Sequence, residues 1–307
     1  MKVVVLTGGV GGAKLVLGLQ HVLAPENITA IVNTGDDFRH FGLYVSPDID
    51  TLVYTLSGKA NAAQGWGREG ETWNFMAAVR SLGGADWFSL GDGDLALHVL
   101  RSARLAQAEP LSAITADIAK AWNIGARILP MSDDSVATWL ETDEGELEFQ
   151  RYFVQRRCEA KVRAIGFRGA EKAAAAPGVI AAIEAADAIL IAPSNPYLSV
   201  DPILAVAPIA AALRAARAPI VAVSPLVGGK AVKGPTAKLM QELKVEVTNR
   251  AIARHYHGLI AGLVIDSDDD APEGLAIERT ATLMTTLEDR MRVARAALAL
   301  AQRLSAS

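Results

Sequence analysis

Nothing narrows the possible folds of this chain more than its opening residues. An apolar run, Lys2–Thr7, meets Gly8-Gly9-Val10-Gly11-Gly12 at once, and helical periodicity follows from Ala13 to Leu23. Val3-Val4-Val5-Leu6 has no polar alternation, so as a strand it is buried on both faces, and a strand of that kind belongs in a parallel sheet covered by helices. The pattern recurs. Ile28–Asn33, Ala188–Ala192, Ile220–Ser224 and Leu263–Asp266 read as further strands, and Trp87–Leu90 as a short one. Helical stretches lie between them, at Leu95–Arg104 and after Pro202, and Glu288–Leu304 closes the series with Met291, Ala294, Leu298 and Ala301 on one face. The expected fold is α/β: a doubly wound, mainly parallel, Rossmann-like sheet with an inserted smaller α/β subdomain.

The middle of the chain breaks the pattern. From Ala126 to Phe167 short apolar and polar residues alternate, in pieces such as Ala137–Thr142, Leu147–Gln150, Tyr152–Val154 and Lys161–Phe167, with Asp143-Glu144-Gly145 as a hairpin turn. Residues 48–168 are therefore expected to form the insertion, and residues 1–47 and 169–307 the nucleotide-binding core. At 307 residues, with 51% hydrophobic and 21% charged, the chain has ample material for such a core. A net charge of −4 supplies no basic field for nucleic acid, and the single cysteine, Cys158, rules out an internal disulfide or a cysteine-rich zinc site. The longest apolar stretch, Ile203 to Leu213, is too short for a membrane span. These features lead us to expect a cytoplasmic protein that binds neither membrane nor nucleic acid.

Ligands of open parallel sheets sit beyond the carboxyl ends of the strands, and five such ends are decorated here. They read Thr7-Gly8-Gly9-Val10-Gly11-Gly12-Ala13-Lys14, Asn33-Thr34-Gly35-Asp36-Asp37, Gly91-Asp92-Gly93-Asp94, Pro193-Ser194-Asn195-Pro196, and Ser224-Pro225 with Gly228-Gly229-Lys230 beyond. The first fits a phosphate cradle, since glycines let the backbone close on an anion and a helix N-terminus presents free N–H groups; Lys14 adds a cation. The spacing is neither G-x-G-x-x-G, which would need glycine where Lys14 stands, nor a P-loop, which would need serine or threonine where Leu15 stands. A plain tight turn is the alternative. Asp36-Asp37 and Asp48-Ile49-Asp50 supply hard oxygen ligands for a divalent cation, and in an extended segment Asp48 and Asp50 would point the same way. His98 and Arg101 share a helical face, and Trp66 is a candidate to stack on a flat ring. Asp268-Asp269-Asp270 reads as a solvated loop.

Taken together, the motifs resemble one family, the 2-phospho-L-lactate transferases of coenzyme F420 biosynthesis. The matching text is TGGVGGAK, NTGDD, SPDID with Thr51, GWG at 65–67, WFSLGD, the Arg101 region, PMSDD, FQRYFV, APSNP, DPIL and VSPLVGGKAVKGP, in family order from Thr7 to about Pro235. The resemblance implies transfer of a phospho-(three-carbon acid) from a guanosine-diphosphate-linked donor to the ribityl hydroxyl of the deazaflavin Fo. GMP leaves, and Mg²⁺ is required. It implies Asp36 and Asp48 as Mg²⁺ ligands and Asp36, Asp48 and Asp50 as the catalytic carboxylates. The binding surroundings would come from Thr7, Gly8, Gly9, Gly11, Gly12, Lys14, Asn33, Asp37, Trp66, Asp92, Arg101, Ser194, Asn195, Lys230 and Lys233. It also implies a homodimer. The chain departs from the family text at Gly93, where the family carries arginine. The competing reading is a non-catalytic nucleotide-sugar-binding regulator of the gluconeogenesis-factor type, and a nicotinamide oxidoreductase is a more distant rival.

Overall fold

A computed structural model of the chain describes residues 1–61, 63–231 and 234–306; of Lys230 and Ala231 only the backbone is described. The first strand, β1 (Val3–Thr7), runs into α1 (Gly9–Gln20) and then β2 (Ile28–Val32). A short hairpin follows, β3 (Phe38–His40) and β4 (Leu43–Val45), joined through Phe41 and Gly42. Both joining residues have positive φ, the geometry of a two-residue turn whose twist matches that of the strands. Helices α2 (Pro47–Leu56), α3 (Asn74–Ser81), α4 (Asp92–Leu105) and α5 (Leu111–Ala121) come next, then β5 (Arg127–Pro130).

The antiparallel strands β6 (Ala137–Thr142), β7 (Gly145–Glu148) and β8 (Val162–Arg168) make a separate small sheet in the order β7-β6-β8. The chain then returns through α6 (Val179–Glu184), β9 (Ala188–Ile191), α7 (Asp201–Ala205), α8 (Ala207–Ala215) and β10 (Ile220–Val223). A two-stranded ribbon, β11 (Leu226–Val227) and β12 (Lys230–Ala231), precedes α9 (Thr236–Glu242) and α10 (Asn249–His255). Strands β13 (Gly262–Ile265) and β14 (Ala276–Arg279) and the long α11 (Leu287–Ser305) complete the fold.

The seven-stranded sheet has the order β14-β13-β10-β9-β1-β2-β5, and every pairing in it is parallel. From β1 the chain winds one way through β2 to β5 and then the other way through β9, β10, β13 and β14, so the order reverses between β1 and β9. Successive residues of each strand face opposite layers. Val4 and Leu6 enter a core with Ile189, Ile191, Ile209 and Ile252, whereas Val3 and Val5 enter another with Leu15, Leu19, Ile49 and Ala297. Two helical layers thus cover one sheet, as expected. On one layer α1 packs so tightly on α11 that a Cβ at Gly18 would collide with the Arg290 backbone.

Three details differ from expectation. Residues 87–90 form no strand; Phe88 instead joins Phe38, Phe75 and Leu95 around Val45, Met76 and Leu90, because two aromatic side chains find apolar partners there without sheet pairing. Tyr152–Val154 lies in a π-helical turn, Arg151–Gln155, rather than a strand. And β5, although inside residues 48–168, pairs in parallel with β2 as an edge of the main sheet. Among the described residues no single helix is long and apolar enough to cross a membrane.

Candidate functional site

The switch between β1 and β9 brings the first glycine loop against the Ser194 loop. Ser194 Oγ donates to the Gly8 carbonyl (2.7 Å) and accepts from the Gly8 N–H (3.2 Å). The glycines let these loops approach closely. A Cβ on Gly11 would lie 2.6 Å from the Pro193 carbonyl oxygen, one on Gly8 2.5 Å from Asp48 Oδ2, and one on Gly12 against Thr7 and Ser194. Gly9 is different: it has room, but its φ of 63° is left-handed and favours glycine. The glycine signal thus reflects close approach of protein to protein at three positions and backbone conformation at the fourth.

Helix α1 has no side-chain cap of its own. The cap arrives from α2: the Gly9 N–H donates to Asp48 Oδ1 at 2.6 Å, and Asn33 Nδ2 donates to Asp48 Oδ2 at 2.9 Å. A carboxylate at a helix N-terminus is electrostatically favoured. It also marks the position as one that receives negative charge. Asn33 holds its own loop too, accepting from the Gly35 N–H (2.7 Å), and Thr138 at the start of the small sheet donates its N–H to the Gly35 carbonyl (2.8 Å).

The expectation that Asp48 and Asp50 point together is corrected. Their segment is the first turn of α2, with Pro47 at its start, and two residues on a helix are turned about 200° apart. Asp48 faces α1 and Asn33. Asp50 faces α4, where Arg101 grips both its oxygens and His98 Nδ1 lies 3.7 Å away. On its far side His98 Nε2 is 3.1 Å from Asp94, which also accepts from the Tyr54 hydroxyl. Arg101 is wholly buried.

Asp36 and Asp37 complete the acidic group. Asp36 is buried and Asp37 half-buried, and loss of water raises each carboxyl well above the usual range; Asp48 adds to this for Asp36, while Ser46 and Arg101 oppose it for Asp37. Burial lifts Asp48 to about 6, against the hydrogen bonds from Asn33 and Gly9. Ser46 Oγ donates to Asp37 Oδ2 at 2.8 Å. Several buried polar atoms around this sheet edge have no protein partner: Asp36 Oδ1, Asp37 Oδ1, Thr7 Oγ1, Thr34 Oγ1, Thr138 Oγ1 and Asn195 Nδ2. Folded proteins leave few such atoms. Six lie near one crevice, on three different strand ends and the small sheet, and leave hydrogen-bonding capacity there that the described protein residues do not use.

The other sequence candidates lie as follows. Lys14 Nζ donates to the Met284 carbonyl (2.6 Å). Asp92 accepts from Thr72 Oγ1, from the Asn74 backbone and amide, and from the Phe75 N–H, so its carboxylate ties the start of α3 to α4. Trp66 is 52% exposed on a loop. Asn195 Oδ1 caps the turn after β9 by accepting from the Tyr197 and Leu198 N–H groups. The Lys230 side chain and Lys233 fall outside the described residues. Asp269 corrects the reading of the 268–270 triplet as a solvated loop: it is buried and accepts from Asn249 Nδ2 (3.1 Å) and the Gly229 N–H (3.2 Å). Sequence reasoning missed Ser46, Thr138 and the Tyr54–Asp94 pair; Ser46-Pro47 was a legible helix start, whereas the other two depend on long-range packing.

Buried carboxylates, the start of a helix and unpartnered polar atoms thus meet at the switch point of a parallel α/β sheet, the place where sheets of this kind take small-molecule ligands. The chain belongs to the 2-phospho-L-lactate transferase CofD family, whose model matches residues 3–300. It is 42% identical over 314 residues to the phosphoenolpyruvate transferase of Streptomyces avermitilis, covering 98% of each chain, and 43% identical over 319 residues to that of Streptomyces griseus subsp. griseus, covering 100% of each. The phosphoenolpyruvate transferase of Mycolicibacterium smegmatis is 39% identical, with 98% of this chain and 99% of the relative aligned. Protein BH3568 of Bacillus halodurans, a member of the UPF0052 family, shares the fold with a TM-score of 0.65 at 18% identity over 97% of this chain and 99% of the other. The chain is a phospho-acid transferase of the kind that serves coenzyme F420 biosynthesis.

Proposed function

We propose that the protein moves an enolpyruvyl-phospho group from a guanosine-diphosphate-linked donor to the terminal ribityl hydroxyl of Fo. The hydroxyl oxygen forms the new bond to the phosphorus bearing the three-carbon acid, the bond from that phosphorus to the GMP oxygen breaks, and GMP leaves. The enolpyruvyl donor is favoured over lactyl and glyceryl analogues because the relatives at 42–43% identity are named phosphoenolpyruvate transferases.

The observation that carries this reading is the buried acidic pair at the switch point, Asp36 and Asp48, with Asp36 Oδ1 left without a partner. Two like charges held together out of water fit a cation between them. Mg²⁺ takes one or two carboxylates and completes its shell with substrate phosphate and water. Asp36 and Asp48 would hold the ion. Bound there, Mg²⁺ would supply charge neutralisation for the diphosphate. The free Oδ1 of Asp36 is available to the hydroxyl proton. The N–H groups at the start of α1 and the Ser194 loop would orient the diphosphate. Phe38, Trp87 and Phe88, close to one another beside the β3–β4 hairpin, would cover the acceptor ring together with Trp66. Positioning and charge neutralisation supply most of the rate in transfers of this type.

A single-turnover assay with Fo, Mg²⁺ and each guanosine-diphosphate-linked acid, read for GMP and for the phosphodiester by mass, tests the reading. Product from the enolpyruvyl donor is expected. Tight nucleotide binding without product from any donor would refute it in favour of a regulatory nucleotide-binding role.

A further inference from the structure

Among the described residues Arg101 is the largest side chain that the fold removes entirely from solvent. Its contacts are all with other parts of the protein around the acidic group. Its two terminal nitrogens grip both oxygens of Asp50 on α2, and one also donates to the Tyr44 carbonyl of the hairpin (3.4 Å). Asp37 feels the same charge, and Asp37 in turn receives the hydroxyl of Ser46, the residue from which α2 starts. The guanidinium therefore joins α4 to α2 through a two-pronged bond, a geometry that fixes direction as well as distance, and to β4 through the Tyr44 carbonyl.

The consequence follows from helix geometry. Asp50 and Asp48 lie on nearly opposite sides of the first turn of α2. A rotation of α2 about its axis that loosened Asp50 from Arg101 would swing Asp48 away from Gly9 and Asn33. An arc of about 20° at a carboxylate some 6 Å from the axis is about 2 Å, enough to break a hydrogen bond. We propose that Arg101 is a positioning residue: by clamping Asp50 it sets the rotation of α2 and so holds the Asp48 carboxylate at the start of α1 and beside Asp36. This assignment replaces direct contact of Arg101 with the ligand. It concerns the placement of α2 within the fold and draws on the transferase reading only for its kinetic consequence.

Removing Arg101 alone would strand the buried Asp50 charge and could unfold the protein, so the informative variant is the neutral pair D50N/R101M, which removes the clamp together with the charge it holds. The positional probe is the Gly9 amide, which donates to Asp48 Oδ1 at 2.6 Å. In ¹⁵N-glycine-labelled protein its shift and exchange protection report that bond whether or not the protein transfers anything. With a folded spectrum and a cooperative melt as the entry condition, D50N/R101M should move the Gly9 amide towards its position in D48A, and R101K, which keeps the charge but not the fork, should move it part of the way. Transfer should fall about a hundredfold in kcat with little change in nucleotide KM. In a D48A background the same pair should cost little more, because its effect has already been removed. A Gly9 amide unmoved in folded D50N/R101M would overturn the proposal, as would a loss that multiplies in full with D48A. If the wild-type protein makes no product, the transferase reading fails while the amide measurement still decides this one.

Discussion

Replacing Gly11 with alanine separates two explanations of the glycine loop. If the glycines serve only a ligand's approach, the free protein should tolerate a methyl group there. The structure predicts otherwise. The new Cβ would stand 2.6 Å from the Pro193 carbonyl oxygen, whereas ordinary contact begins at 3.4 Å, so about 0.8 Å of separation has to be created. The obstacle is backbone, and the neighbouring Ser194 is bonded to Gly8 through both its donor and its acceptor, so the β9 loop cannot swing aside independently. Overpacking of this kind costs about 1–3 kcal/mol, and alanine recovers about 1 kcal/mol in helix propensity within α1. A net loss of up to about 2 kcal/mol, at roughly 2–4 °C per kcal/mol for a chain of this size, is readable in a thermal melt followed by circular dichroism. Because the displaced element is the wall of the crevice, single-turnover transfer should fall about ten- to a hundredfold as well. Gly9→Ala is the companion: its nearest neighbour is 4.0 Å away, but its left-handed backbone should cost about 1–2 kcal/mol without forcing the loops apart. A G11A protein that melts at or above the wild-type temperature and loses only nucleotide affinity would refute the packing argument.

Further expectations can be checked with single variants. D36N removes a buried carboxylate whose free oxygen faces no protein donor, and should lower kcat about a hundredfold or more in the transfer assay while leaving the circular dichroism spectrum intact. Burial pushes the Cys158 thiol up to about 11, so at pH 8 only about one molecule in a thousand is thiolate, and iodoacetamide labelling should run far slower than for a free thiol and accelerate on unfolding. Thr286 and Asp289 form a reciprocal capping box at the start of α11, and T286A should cost about 1 kcal/mol in a denaturant titration. Hydrogen bonds from Thr285 and Thr286 hold the Asp289 carboxyl well below its ordinary value. Its contribution is therefore present above the unfolded value near 3.8 and lost as pH falls through the lower folded one, and the melting difference between wild type and D289A should shrink below about pH 4.

Local pattern carried the sheet: unbroken apolar runs at Val3, Ile28, Ala188 and Ile220 became central parallel strands because only burial on both faces satisfies such runs. The same logic failed at Trp87-Phe88, where apolar character is satisfied by the aromatic cluster beside the hairpin. It also misplaced β5, since pairing with β2 across nearly a hundred residues leaves no trace in local periodicity. The acidic group was legible as composition but not as geometry. Reading Asp48 and Asp50 as extended overlooked Ser46-Pro47, which starts a helix and turns them apart. Which polar atoms are left without partners, and which are spent on each other, as Asp269 is on Asn249 and Gly229, follows from packing across the chain and cannot be read from spacing.

The pairing of α1 with α11 has a consequence for how the protein comes to be made. The helix that opens the crevice leaves the ribosome well over two hundred residues before the helix it packs against. Until α11 arrives, Leu15, Val16 and Leu19 lack the partners Val293, Ala297 and Ala301, and β1 lacks its β9 neighbour for most of synthesis. The nascent chain thus carries an unsatisfied apolar strand and helix for nearly its whole length. A fragment that stops short of α11 should therefore expose the apolar face of α1 and aggregate rather than show partial activity.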